Sequence, residues 1–249
     1  MLLCKKMSFS NIVVTGANRG IGYQYVTYLL AQSPAPKNVI ATTRKPSEEL
    51  NKLKSANSNL HIVTYDATNY KSYPDFVEQV SKIVGPDGID LLINNAGIYV
   101  SGNLETVKAE DVLRNIEVNA VAPLELTRAL LPLLKASSTA NKRKTVIANI
   151  SSMAGSIGDN TSGSAVISIP YRSSKAALNM ITRSLAVDLK ETGIIVLAIH
   201  PGWVKTDMGG ERAPLTPLAS VSGISEFLAK VSSEQSGTFV NHQGKELPW

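Results

Sequence analysis

Cysteine is nearly absent from this chain: Cys4 stands alone among 249 residues, which excludes any internal disulfide. Histidine is also scarce, and His61, His200 and His242 lie too far apart for metal-ligand spacing, so no metal is expected. No apolar run approaches the roughly 18 uninterrupted residues of a membrane span. The best, residues 118–134, is broken by Asn119, Pro123, Glu125, Arg128 and Pro132, so no membrane partner is expected. Residues 1–6 hold too short an apolar stretch for a signal peptide. The cytoplasm is therefore the expected location, and residues 1–8 are read as a disordered extension. No internal repeat and no long Pro/Gly/Ser stretch divides the chain, which predicts one domain over residues 1–249. The charge excess is small at +5 and favours anionic ligands weakly. The densest basic cluster, Lys142-Arg143-Lys144, has no aromatics nearby, so no nucleic-acid partner is expected.

What the chain does have is alternation. Short β-branched or wholly apolar runs at residues 11–15, 39–43, 60–65, 89–93, 145–150, 194–199 and 237–240 read as strands. Between them lie helical patterns at residues 21–32, 47–55 (with Ser47 as N-cap), 70–84, 108–135 and 170–191. Pro123 is expected to divide the 108–135 stretch into two helices. Continuous apolar strands alternating with helices predict a single α/β domain. Its sheet is mostly or wholly parallel and doubly wound (Rossmann), with helices on both faces and ligands outside the strands' carboxyl ends.

The first strand runs into Thr15-Gly16-Ala17-Asn18-Arg19-Gly20-Ile21-Gly22. Three glycines between a first strand and a first helix allow a tight turn, close approach to a pyrophosphate and a helix N-terminus aimed at it. The end of the second strand distinguishes two dinucleotides, because a carboxylate there would repel a 2′-phosphate. Here Thr43-Arg44-Lys45 carries no acid until Glu48; Arg44 can fork onto a phosphate, and Arg19 is expected close enough to help. NADP(H) is the expected cofactor.

Tyr171 and Lys175 sit four residues apart at the start of the longest helix, on one face. A free phenol titrates near pH 10, and an adjacent ammonium is expected to lower that value and make Tyr171 a usable general acid or base. Asn149-Ile150-Ser151-Ser152 closes the fifth strand, where a hydroxyl can hold a substrate oxygen. Strand alternation lets only one of Ser151 and Ser152 face the cleft and leaves the choice open. Asn94-Asn95-Ala96-Gly97 closes the fourth strand with small residues and amides.

Taken in order, T-G-x-x-x-G-I-G at 15–22, D-x-T at 66–68, N-N-A-G at 94–97, N-I-S-S at 149–152, Y-x-x-x-K at 171–175 and P-G-x-x-x-T at 201–206 resemble the short-chain dehydrogenase/reductase family over the whole chain. The ending, residues 237–249, resembles its carbonyl-reductase-like subgroup, which includes sniffer and C-factor proteins. The resemblance implies that Ser152 holds the substrate carbonyl, Tyr171 donates the proton, and Lys175 binds the nicotinamide ribose. It implies that Asn119 orders a water for a proton relay, completing the catalytic set. For the cofactor it implies Gly16, Asn18, Arg19, Gly20, Ile21 and Gly22 at the phosphates, Asp66 and Ala67 at the adenine, and Asn95, Ala96 and Gly97 beside the adenosine ribose. Pro201, Gly202, Val204 and Thr206 fall at the carboxamide, and Arg44 at the 2′-phosphate.

Eighteen residues separate Ser152 from Tyr171, more than the family's usual spacing. The extra segment, residues 156–168, is rich in Gly, Ser and Asn and is expected to be a flexible loop at the mouth of the site. Trp203 is read either as a pocket residue or as a structural one. The reading is an NADPH-dependent carbonyl reductase acting on a small-molecule ketone or aldehyde. An alcohol dehydrogenase working oxidatively and a non-catalytic NADPH-sensing protein are the alternatives. The helices at 108–135 and 170–191 are the family's usual contact surface, which implies a homodimer or homotetramer.

Overall fold

A computed structural model describes residues 9–163 and 167–249; the extension expected at residues 1–8 and part of the 156–168 segment lie outside the described residues. The strands are β1 (Asn11–Thr15), β2 (Asn38–Thr43), β3 (Leu60–Thr64), β4 (Leu91–Asn94), β5 (Thr145–Ile150), β6 (Ile194–His200) and β7 (Phe239–Asn241). The α-helices are α1 (Gly20–Leu30), α2 (Glu48–Ala56), α3 (Tyr73–Val84), α4 (Ala109–Ile116), α5 (Ala122–Lys135), α6 (Ile169–Asp188) and α7 (Pro217–Lys230). All strand pairs are parallel, in the order β3-β2-β1-β4-β5-β6-β7. β1 therefore has β2 on one side and β4 on the other. The chain leaves these strands in opposite directions there, and a crevice opens at their carboxyl ends.

Alternate residues of each strand feed two cores. Ile12, Val14, Ala41, Ile93, Ala148 and Leu197 face α1 and α7, meeting Tyr25, Leu29, Ile224 and Leu228. Val13, Ile40, Leu92, Ile147 and Val196 face the other way, onto Phe76 and Val80 of α3 and Leu126, Leu130 and Leu134 of α5. Residues four apart on α5 recur on one face, and burying each leucine contributes roughly 1.5–3 kcal/mol. Ser47 caps α2 as expected, its hydroxyl accepting from the Leu50 N–H at 3.2 Å.

The 108–135 stretch departs from the expectation. It is not broken into two separate helices: α4 passes into a π turn, Glu117–Val121, and the π turn directly into α5. Pro123 is buried at the start of α5. A proline lacks the N–H and crowds the carbonyl one turn back, and the widened turn takes up both. Pro123 thus accompanies a widening of the helix and not its end. The chain's last helix before the sheet's far edge, 170–191, ends at Asp188 and finishes with a 3-10 turn.

At the amino edge of the sheet, Asp90 is buried and accepts from the Ser10 and Asn11 N–H groups at 2.7 and 2.8 Å. Burial nevertheless pushes its carboxyl up from 3.8 to about 6. Exposed Asp87, three residues away, is held below the usual range by the hydrogen bond from Lys37 and by Arg143. The folded state binds the Asp90 proton more tightly than the unfolded chain. Its stabilising contribution, roughly 2–3 kcal/mol, is present below about pH 4 and lost as pH rises through about 6. Carboxyl carbon NMR should find Asp90 titrating near pH 6 and Asp87 below the usual range. An Asp90 midpoint at or below 4 would contradict this account.

Candidate active site

β1 and β4 are tied together where the sheet ends. The Thr15 hydroxyl accepts from the Asn95 and Ala96 N–H groups, both at 2.9 Å, and the Asn95 amide donates to the Thr15 carbonyl at 2.9 Å. The glycine turn is packed against this junction. A Cβ on Gly22 would lie 2.2 Å from the Gly16 carbonyl oxygen and 2.6 Å from the Asn95 amide, so no other residue fits. Arg19 caps α1 without a side-chain hydrogen bond, and the helix's first turn, from Gly20 through Ile21 and Gly22, has no acidic residue. The N-terminal N–H groups and the positive helix end are thus open to an anion, in a cradle that side chains would fill. This fits the phosphates of a dinucleotide.

Other cofactor-side residues fall into place around it. Asn18 is a tie between loops: its carbonyl accepts from the Ser47 N–H at 2.6 Å and its amide donates to Lys45 at 3.0 Å. Arg44 follows β2 and is exposed at the same edge. Arg19 departs from expectation, because its guanidinium pairs with Asp207 at 2.9 Å rather than joining Arg44. Asp66 and Ala67 follow β3, partly buried. Beyond β6, Ser220 donates to the Pro201 carbonyl at 2.6 Å, Gly202 turns the chain, and buried Val204 bridges to Leu215. Thr206 then abuts the glycine turn, 3.3 Å from where a Cβ of Gly20 would stand.

The serine pair is resolved by packing. Ser151 points inward, donating to Asn179 at 2.6 Å, and is buried. Ser152 is half-buried; its hydroxyl accepts from the Ala154 N–H at 3.1 Å and is hydrogen-bonded to the Tyr171 phenol. Gly155 allows this approach, since a Cβ there would come 2.6 Å from the Lys175 carbonyl carbon. Lys175 is buried, donates to the Ile150 carbonyl at 2.8 Å, and lies 5.6 Å from the Tyr171 ring centroid. Serine, phenol and ammonium therefore share one site at the carboxyl edge of β5.

The electrostatics correct one expectation. The phenol of Tyr171 is not lowered but pushed up to about 12, chiefly by burial, with the Ser152 hydrogen bond acting downward and Tyr99 upward. Burial also lowers the Lys175 ammonium to about 8. At neutral pH Tyr171 is a protonated donor and Lys175 is still mostly charged.

Asn119 stands in the π turn, buried. Its side-chain oxygen accepts from the Ile98 N–H at 2.8 Å, and its amide donates to the Ile98 carbonyl and to Ser174, both at 2.9 Å. Ser174 donates in turn to the Tyr171 carbonyl at 2.8 Å. The loop after β4 is thereby fixed against the first turn of α6. Gly97 packs so closely there that a Cβ would lie 3.0 Å from the Asn119 oxygen and 3.8 Å from Lys175 Nζ.

Two contributors lie outside the expected set. Thr15 joins the two halves of the crevice, and its only sequence signal is its place between strand and glycine turn. Tyr99, after the N-N-A-G loop, packs its ring 5.1 Å from that of Tyr171 and remains 43% exposed. The 156–168 segment is anchored rather than free in its described parts. Ser156 and Gly158 donate to the Trp249 main-chain oxygen, Ser168 donates to Val100, and Arg172 to Ser162 and Ile167. Trp203 is 55% exposed, with its indole N–H donating to Gly209 at 2.7 Å. Among the described residues, no group of three or more His, Cys, Asp or Glu could hold a metal, and no helix is long and apolar enough to cross a membrane.

The family described as short chain dehydrogenase matches residues 10–215. An NADPH-bound carbonyl reductase from chicken fatty liver superposes with a TM-score of 0.93 at 40% identity, covering 98% of this chain and 96% of its own. The carbonyl reductase Sniffer of Drosophila melanogaster gives a TM-score of 0.92 at 38% identity, covering 96% and 99%. The C-signal protein of Myxococcus xanthus is 42% identical over 164 residues, 65% of this chain and 93% of that protein. With its glycine turn, its Ser152–Tyr171–Lys175 cluster and this match, the chain belongs to the short-chain dehydrogenase family of oxidoreductases.

Proposed function

We propose that the protein is an NADPH-dependent carbonyl reductase that reduces a small-molecule ketone or aldehyde. The observation that carries this reading is the convergence of Ser152, Tyr171 and Lys175 on the crevice whose floor is the glycine turn. Ser152 Oγ holds the substrate oxygen, and the protonated Tyr171 hydroxyl gives its proton to that oxygen as negative charge builds on it. Lys175 binds the nicotinamide ribose and keeps a positive charge beside the phenol. Asn119 fixes the loop and the helix turn that carry these groups, and its place there is compatible with a water-borne proton relay. The reduced nicotinamide, when bound, supplies the hydride.

The direction of the Tyr171 shift supports reduction, because oxidation would need a phenolate and burial opposes one. The intact donor set opposes a purely sensing role. Arg44, exposed beside the crevice with no acid until Glu48, supports preference for the 2′-phosphate of NADP(H), as does the NADPH in the chicken carbonyl reductase. Leu113, Val121, Met180 and Val187, exposed on the two helix pairs around α4–α5 and α6, support a homodimer or homotetramer. A cytoplasmic location agrees with use of this cofactor.

Tyr171→Phe should bind NADPH within about twofold of the parent protein yet lose roughly 10²–10⁴ in kcat. Near-normal turnover in stopped assays on a panel of ketones, aldehydes and quinones would remove Tyr171 from the mechanism. Arg44→Glu should weaken NADPH binding by roughly 10-fold or more and leave NADH nearly unchanged, measured as dissociation constants; equal losses for both would refute its 2′-phosphate role. NADPH binding should also weaken as pH rises through about 8, where Lys175 gives up its proton, and Lys175→Met should abolish that dependence.

A further inference from the structure

The turn after β3 is held by a chain of buried hydroxyls that the catalytic reading does not use. Asp66 Oδ1 accepts both the N–H and the hydroxyl of Thr68, at 3.0 and 3.1 Å, which fixes the carboxylate plane and leaves its second oxygen open. The Ala67 carbonyl accepts the Tyr73 hydroxyl at 2.8 Å. That bond consumes the single proton of Tyr73, so the Tyr65 hydroxyl, 2.9 Å away, must be the donor to Tyr73. The chain of bonds is therefore directional: Tyr65 to Tyr73 to the Ala67 carbonyl. Both tyrosines are buried, and their rings pack 5.5 Å apart, with Phe76 5.1 Å from Tyr65.

The relay begins and ends within three consecutive residues, 65–67, and closes through α3. The Tyr65 N–H also donates to the Thr43 carbonyl at 3.0 Å, next to Arg44. A buried carbonyl that loses its donor must move or go unpaired, so the relay is a constraint on where the Asp66–Ala67 turn sits. Tyr70 belongs to the same aromatic cluster, 5.6 Å from Tyr73, but its buried hydroxyl has no partner. The cluster thus contains its own control.

We propose that the Tyr65–Tyr73 relay positions the Asp66–Ala67 turn so that the open Asp66 oxygen reads the 6-amino group of the cofactor's adenine. This rests on the NADP(H) reading above and assigns Tyr73 and Tyr65 as positioning residues for cofactor selectivity. The readout is the ratio of dissociation constants for NADPH and for its hypoxanthine analogue, in which oxygen replaces the amino group. Both are measured by titration calorimetry on the whole protein. The parent protein should prefer NADPH. Tyr73→Phe should shrink that preference by roughly 3- to 10-fold, the size expected for one neutral hydrogen bond. Tyr65→Phe should shrink it by roughly 2-fold or more, and Tyr70→Phe should leave it unchanged.

A general loosening of the fold would weaken both ligands together and leave the ratio alone, so an unchanged ratio in Tyr73→Phe overturns the proposal. Should that variant fail to fold, an unchanged ratio in Tyr65→Phe does the same, as does an equal loss in Tyr70→Phe. A parent protein that binds both ligands equally overturns the relay alone. One that binds neither overturns the cofactor reading and the relay with it.

Discussion

The Thr15 hydroxyl, shared by two backbone N–H groups of the loop after β4, is the contact on which the rest of the site depends. β1 and β4 are neighbours in the sheet, but the chain leaves them toward opposite faces, so backbone pairing stops where the crevice opens. Without a side-chain bond across that gap, the glycine turn and the N-N-A-G loop would be free to separate. The bond also sets the position of Asn95, against which Gly22 packs with no room for a side chain. From there the constraint passes through Gly97 and Asn119 to α6, and so to Tyr171 and Lys175. Phosphate cradle and proton donor are parts of one hydrogen-bonded frame.

Burial then decides the chemistry. Desolvation raises the phenol and lowers the ammonium, so the pair sits as a neutral acid beside a cation with a reduced hold on its proton. The sequence argument anticipated only the charge effect of one group on the other. It could not weigh this against burial, because how deeply Tyr171 is enclosed depends on Tyr99 and on loops that carry no periodic signal.

Much of the fold was legible because its signal is periodic. Apolar strands separated by helices specify a parallel sheet, and the strand residues alternate between two cores as the pattern requires. The motif residues were legible for a different reason: each stands at a strand's carboxyl end or in a first helical turn. What stayed hidden was set by distant partners. Arg19 faces Asp207, 188 residues away, and no local pattern reveals that choice. The preference for Ser152 over Ser151 depends on Asn179, across the sheet in α6. Pro123 signalled a disturbance in its helix, but a backbone that is widened and one that is cut have the same composition.

That widened turn has a consequence for how this helix can vary. An α-helix advances by about 100° per residue, so a helix carrying one surplus residue inside a single coil keeps both flanks intact while changing their relative rotation. Excising one residue between positions 117 and 121 would give a more regular helix, yet it would swing the whole of α4 by about that angle relative to α5 and carry the Asn119 amide away from the Ile98 backbone. Local regularity and catalytic geometry are opposed at this spot, and length changes should be tolerated in the flanking loops far more readily than here.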